Sequence, residues 1–241
     1  MSLLAAVNAS AAVDASFVAG ETLDFSLSWS KIAGGSARMT IAPSGDDRYR
    51  ITSVGRSSAF FSRIFKVRDE IESVVTRDSF TTVQYRKLLD EHGRKKDELT
   101  TIEGSAAVRK GKTVAVPAPV FDPLSLMYYI RRLDLAPGAK HEFTVIADGK
   151  VYTLAVSVLR RETITTPAGR FETVLVEPKR TSGGTNRGEN NQLLIWYSDD
   201  ERRLPVRIRS EVNVGSITAT LRSVHSGVES TEPVTIGAEV K

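Results

Sequence analysis

The chain of 241 residues contains no cysteine. Disulfide frameworks, thiolate zinc sites and cysteine nucleophiles are therefore excluded. Histidine is scarce. His92, His141 and His225 are the only three, and no two stand at H-x-H or H-x-x-x-H spacing. A histidine metal site has no local support, and no metal ligand set is expected. There is no G-x-S-x-G elbow and no Walker loop, so neither a serine hydrolase nor a P-loop enzyme is indicated, and no cofactor is implied. An excess of one charge sign is also lacking. The 33 Lys and Arg are nearly balanced by 29 Asp and Glu, for a net charge of +4. The basic residues are scattered ("RYRI", "RKKDE", "RIRS") and mixed with acids. A nucleic-acid surface gathers them with aromatics, so no nucleic-acid partner is expected. No apolar run is long enough for a membrane-spanning helix, so a soluble, non-transmembrane protein is expected.

What is present is period-two alternation. In "ETLDFSLSW", Leu23, Phe25, Leu27 and Trp29 alternate with Asp24, Ser26 and Ser28, the pattern of a half-buried strand. "RYRITSVG", "KVRDEIESVVT", "VQYRKLL" and "KDELTTIEG" continue the pattern. "KVYTLAVSVL" sets Tyr152, Leu154, Val156 and Val158 on one face. "RFETVLVEP", "QLLIWYS", "LPVRIRSEV" and "GSITATLRSV" complete the series. About eleven to thirteen short strands at this spacing predict an all-β, mainly antiparallel fold: a large, strongly curved sheet or open barrel. Gly34-Gly35 reads as a turn, and so does Gly93 in "DEHGRK". Composition is ordinary for a globular chain, 41% hydrophobic and 26% charged.

The domain reading is a single β unit over 19–225. Residues 226–241 form a tail or an added edge strand. Residues 1–18 form a signal-like or flexible N-terminus, because "LLAAVNASAAVDA" carries a short apolar run followed by Ala9-Ser10-Ala11. That resembles the back half of a secretory signal, though no Lys or Arg precedes Lys31. Periplasmic or otherwise exported localisation is the expectation.

Other local features have plain readings. Phe60, Phe61, Ile64 and Phe65 recur at helical spacing, either as a core-seeking turn or as an exposed rim. Gly183, Gly184 and Gly188 lie in a polar loop with no helix behind it, which disfavours a phosphate cradle. Asp199-Asp200-Glu201 reads as a turn, with a carboxylate site as the sharper alternative.

One segment breaks the β pattern: "FDPLSLMYYIRRLDL", Phe121 to Leu135. Asp122 is placed to cap a helix, and Pro123 suits its first position. Leu126, Tyr129, Ile130 and Leu133 form an i, i+3, i+4, i+7 stripe, and Leu124, Met127 and Tyr128 carry the apolar surface further round. A central helix near 122–133 is predicted, ended by Pro137. Its apolar face is wider than one sheet contact requires. Either protein covers both sides, or a ligand covers one.

The order of "GETLDFSLSW", "AGGSA", "KVRDEIES", "FDPLSLMYYIRRLDL", "ADGKVYTLAV", "TPAGRFETVLVEP" and "LIWYSDDERRLPVRI" resembles the bacterial exported proteins of domain-of-unknown-function family three-one-oh-eight. The resemblance runs from about Ala19 to Ser223. It implies export and an all-β fold, and it assigns no catalytic residue. By analogy of fold, such a sheet is similar to the open barrels of periplasmic lipoprotein carriers.

These readings lead to an exported, non-enzymatic envelope protein with a lipid or other apolar ligand between helix and sheet. Leu126, Met127, Tyr129, Ile130, Trp29 and Trp196 are the candidate lining residues. The alternative is an envelope binding or scaffold module with a filled core, meeting a protein partner through loops or an edge strand. A hydrolase or lyase would need carboxylates such as Asp122, Asp199 and Asp200 to converge.

Overall fold

The structure is a computed structural model, and it describes residues 19–58, 67–91, 94–182, 192–211 and 215–226. The signal-like run, the Phe60–Phe65 cluster, His92 and Gly93, the glycine loop after Ser182, and the tail after Ser226 lie outside the described residues.

Eight strands follow one another first: β1 (Thr22–Trp29), β2 (Ile32–Pro43), β3 (Arg48–Ser57), β4 (Val67–Thr76), β5 (Thr82–Glu91), β6 (Arg94–Glu103), β7 (Ala106–Arg109) and β8 (Lys112–Ala115). A two-residue strand β9 (Val120–Phe121) leads into the helix α1 (Pro123–Ile130). Six more strands complete the chain: β10 (Lys140–Ala147), β11 (Lys150–Thr166), β12 (Gly169–Ser182), β13 (Leu193–Ser198), β14 (Pro205–Glu211) and β15 (Ser216–His225).

All fifteen strands belong to one sheet, in the order β8-β7-β6-β5-β4-β3-β2-β1-β15-β14-β13-β12-β11-β10-β9. It is two antiparallel meanders joined where β1 pairs with β15. Only β9 runs parallel to its neighbour, β10. The expected all-β, open, mainly antiparallel sheet with a single helix is what the described residues form. The strand count exceeds the alternation estimate because β7, β8 and β9, of four, four and two residues, are too short to show a period.

The inward parity follows the sequence. Leu23 and Phe25 on β1, Ile41 on β2, Ile51 on β3 and Val156 on β11 are fully or almost fully buried and belong to one core that surrounds α1. A smaller apolar cluster joins Ala107 of β7, Val116, Val120 of β9 and Ile146 of β10. It brings the two ends of the sheet together through side chains, while the strand order stays open. Polar contacts reinforce that seam. Lys87 reaches Asp148 at 2.7 Å, and Arg109 bonds the Asp148 carbonyl at 3.1 Å and Glu98 at 2.6 Å.

Gly34-Gly35 is not a turn. The β1–β2 hairpin closes at Ser30 and Lys31, whose φ values of 47° and 74° give the left-handed pair of a two-residue connection. Both glycines lie inside β2. At Gly35 the reason is space, since a Cβ there would sit 2.1 Å from the Arg56 carbonyl oxygen.

The helix starts where the sequence predicts and stops earlier. Asp122 caps it and Pro123 occupies its first turn. After Ile130 the chain tightens: the amides of Arg131, Arg132 and Leu133 bond the carbonyls of Tyr128, Tyr129 and Ile130, three residues back. Leu133 thus lies beyond the α-helix.

Candidate ligand-binding cleft

The position of α1 is fixed by polar groups at both ends. At the start, Asp122 is fully buried. Its Oδ1 accepts from the amides of Leu124 and Ser125 at 2.8 and 2.9 Å. Its Oδ2 accepts from the hydroxyls of Ser73 on β4 and Thr82 on β5 at 2.5 and 2.7 Å. The Asp122 amide in turn donates to Thr82 Oγ1 and to Ser125 Oγ, a reciprocal capping box. Burial pushes the Asp122 carboxyl above its ordinary value, and the hydrogen bonds from Ser73, Ser125 and Thr82 only partly offset that.

Just after the helix, Arg131 is buried against Glu21, with Nη1–Oε1 at 2.7 Å, and also bonds the Arg202 carbonyl in the β13–β14 turn. A third tie is made midway, where the Tyr197 hydroxyl donates to the Met127 carbonyl at 2.9 Å. Burial pushes the Tyr197 phenol well above its ordinary value, so it stays a neutral donor.

With the helix pinned this way, one side of it faces a half-open cleft of about 520 Å³. The helix wall is Pro123, Leu126, Met127 and Ile130. Facing it are Val145 of β10 and Tyr152 and Leu154 of β11. Leu193 and Ile195 of β13 and Ile208 of β14 continue the apolar wall. Polar groups gather along β12, as Glu177, Lys179 and Arg180, with Gln192 beside them. A mainly apolar concavity of this size, with a few polar groups on one side, has the usual form of a small-ligand site.

The polar groups differ in how they are paired. Glu177 accepts a 2.6 Å hydrogen bond from Gln192 Nε2. The Arg180 guanidinium lies over the Tyr152 ring, 4.0 Å from its centroid. Burial raises the Tyr152 phenol, and Arg180 acts in the opposite direction. Among the described residues, neither Arg180 nor Lys179 forms an ion pair with a carboxylate.

Three of the six lining residues read from the sequence are in this wall: Leu126, Met127 and Ile130. Tyr129 lies elsewhere, in an aromatic cluster 4.8 Å from Phe121 and 5.8 Å from Phe143, ring to ring. Trp29 stands at the rim, 42% exposed, where β1 turns into β2. Trp196 is buried, and its indole N–H donates to Glu162 while Arg207 covers its ring. Its neighbour Ile195 faces the cleft, so strand alternation turns Trp196 to the other face. Tyr152, Leu154 and Ile208 were not among the candidates, although the alternation in "KVYTLAVSVL" already put the first two on one face.

The carboxylates a hydrolase would use do not converge. Asp122 is a helix cap. Asp199 pairs with Arg161 at 2.6 Å, and Asp200 accepts from Ser198 Oγ and the Arg203 amide within its own turn. Among the described residues no group of three His, Asp or Glu is arranged to hold a metal, and no helix is long and apolar enough to cross a membrane.

A comparison with curated protein sequences gives no match. Among solved structures, the chain is similar to a β-barrel-like protein of domain-of-unknown-function family DUF1849 from Brucella abortus. The TM-score is 0.59 at 11% identity, covering 86% of this chain and 97% of that one. A DUF1089 family protein from Pseudomonas aeruginosa gives 0.39 at 13% identity, over 74% and 90% of the two chains. The lipoprotein LppX of Mycobacterium tuberculosis gives 0.19 at 10% identity, over 86% and 87%. The first score marks a shared fold, and the other two fall short of that mark. Residues 24–222, nearly the whole sheet together with its helix, match one family along their length, and the chain belongs to that family of proteins of unknown function, DUF3108.

Proposed function

We propose that this chain is an exported, non-enzymatic protein that binds one lipid-like molecule in the cleft between α1 and the strands β10 to β14. The observation that carries the reading is the cleft itself, about 520 Å³ with apolar walls on both the helix and the sheet. A concavity of this size with mainly apolar walls has the form in which small ligands are usually held, which supports the reading. Burying an apolar chain against Met127, Leu154, Leu193 and Ile208, the partly buried part of the lining, would give a favourable transfer free energy of about 0.8 kcal/mol per methylene. Export is supported by the Ala-rich run ending in Ala9-Ser10-Ala11 and is compatible with the absence of cysteine.

The test is native mass spectrometry of protein purified gently from its own periplasm, followed by organic extraction. The reading expects one apolar molecule per chain, displaced by a fluorescent fatty-acid probe. A chain that is ligand-free and also takes up no probe would sink it.

A second reading, an envelope scaffold meeting a protein partner, has one observation behind it. Trp29, Ile32 and Ile217, at 42%, 61% and 46% exposure, are cross-strand neighbours at one rim of the sheet. Adjacent exposed apolar side chains of this kind mark contact surfaces. Crosslinking in the envelope distinguishes the two readings: an Ile32→Asp chain would lose a crosslinked partner yet keep probe binding.

A further inference from the structure

The cleft is apolar on the helix side and cationic along β12, and that asymmetry carries information about the ligand. Arg180 is partly buried, with its guanidinium over the Tyr152 ring, 4.0 Å from the centroid. Tyr152 lines the same cleft. Lys179 follows the strand beside it, exposed and also part of the lining. Among the described residues neither cation has a carboxylate partner, whereas Arg38 pairs with Asp24, Arg50 with Glu72, Arg86 with Asp97 and Arg161 with Asp199. The one acid in the lining, Glu177, is bonded by Gln192 at 2.6 Å rather than by either cation. A guanidinium carries five N–H donors, so one placed over an aromatic ring still has donors for a two-oxygen anion.

Resting on the carrier reading above, the geometry points to a specificity-determining role for Arg180: the ligand is a single anionic amphiphile whose carboxylate or phosphate head is held by Arg180, with support from Lys179, while its chain lies along Met127, Leu154 and Leu193. A neutral amphiphile leaves Arg180 without a counter-ion. A cationic one is repelled by both β12 side chains. A free small anion lacks the chain that the apolar walls would bury.

Calorimetric titration of the full chain at neutral pH tests this with dodecanoate, dodecanol and acetate. The expected result is dodecanoate binding about ten-fold more tightly than dodecanol, the scale of one charge-assisted hydrogen-bond pair. Arg180→Gln should bring the dodecanoate affinity to within about two-fold of dodecanol, with a urea midpoint close to wild type showing that the variant is folded. Acetate should neither bind measurably nor compete. Equal affinity for dodecanoate and dodecanol, or a preference that survives Arg180→Gln, overturns the headgroup assignment and leaves the apolar cleft standing. Acetate competing as well as dodecanoate overturns the amphiphile in favour of a free anion. Failure of dodecanoate and dodecanol alike to bind overturns the cleft reading itself.

Discussion

Arg131 and Glu21 form a bidentate ion pair inside the sheet, with contacts of 2.7 and 3.0 Å between residues 110 positions apart. The pair ties the end of α1 to the residue before β1. The Arg202 carbonyl accepts two further bonds from the same guanidinium, so three distant segments meet at one side chain. Removing one charge leaves the other buried and uncompensated. Glu21→Gln is expected to lower stability by about 3–5 kcal/mol, read as a lower urea midpoint at unchanged slope. The double variant Glu21→Leu, Arg131→Met should lose much less than the sum of its single changes, because no orphan charge remains.

The cap at Asp122 makes a different prediction. Its carboxylate takes four hydrogen bonds, two from helix amides and two from Ser73 and Thr82. Asp122→Ala strands all four donors in a buried place, and a loss of about 3 kcal/mol is expected. Ser73→Ala alone removes a single donor and should cost about 1 kcal/mol. Chemical denaturation of both variants checks the ratio. No loss in Ser73→Ala would show that this hydroxyl contributes nothing to holding the helix, and a loss equal to that of Asp122→Ala would show that it contributes nearly all of it.

Met127 lines the cleft and is only partly buried, so the space beside it can take a larger side chain. Met127→Trp should fill part of that space. Binding of a fluorescent fatty-acid probe is expected to weaken at least about ten-fold, while stability changes by less than about 1.5 kcal/mol. A variant that binds the probe as wild type does would place the ligand elsewhere.

Glu98 sets an acid limit. Burial alone would raise its carboxyl, but hydrogen bonds and charge from Arg109 and Lys96 hold it down to about 2. In the unfolded chain it titrates near 4.5. A depressed folded value means the unfolded state binds the proton more readily. Its contribution is therefore complete above about pH 4.5 and disappears as pH falls towards about 2. Unfolding curves across that window should flatten in Glu98→Gln relative to wild type.

Gly35 tests the close approach of β2 to β3. A Cβ there would stand 2.1 Å from the Arg56 carbonyl oxygen, a backbone atom that can give way only by shifting the strand. Gly35→Ala should cost about 1–3 kcal/mol by thermal or urea unfolding, whereas Gly55→Ala, with open space around it, should be much milder.

The alternation of Leu23 and Phe25 with Asp24 and Ser26, repeated along the chain, made the all-β fold legible, because one face of each strand meets the core. The helix start was equally legible, since Asp122 and Pro123 act through local backbone chemistry. Its end was not. Nothing local reveals that Arg131 is drawn inward to Glu21, a residue more than a hundred positions away. The Gly34-Gly35 pair misled for a related reason: a glycine signals either a turn or a near backbone, and only the register of β2 against Ser57 and Arg56 decides which. The cleft was half legible. Periodicity put Leu126, Met127 and Ile130 on the helix surface. The positions of the two tryptophans depend on strand ends and face parity: Trp29 stands at a rim, and Trp196 is turned away from Ile195. Arg180 carried no signal in sequence, because its place over Tyr152 depends on how β12 pairs with β11.

The pairing of β1 with β15 also sets an order of events for a chain made from its N-terminus. The meander β1 to β8 involves mainly neighbouring segments and can assemble early. Through all of that time the far edge of β1 stays bare, since its second partner is the last of the described strands to be synthesised. A half-made chain therefore carries an open strand edge with Leu23 and Phe25 beside it, a surface that invites association with other chains. The most vulnerable moment for this protein falls late in synthesis, just before β15 arrives to cover that edge.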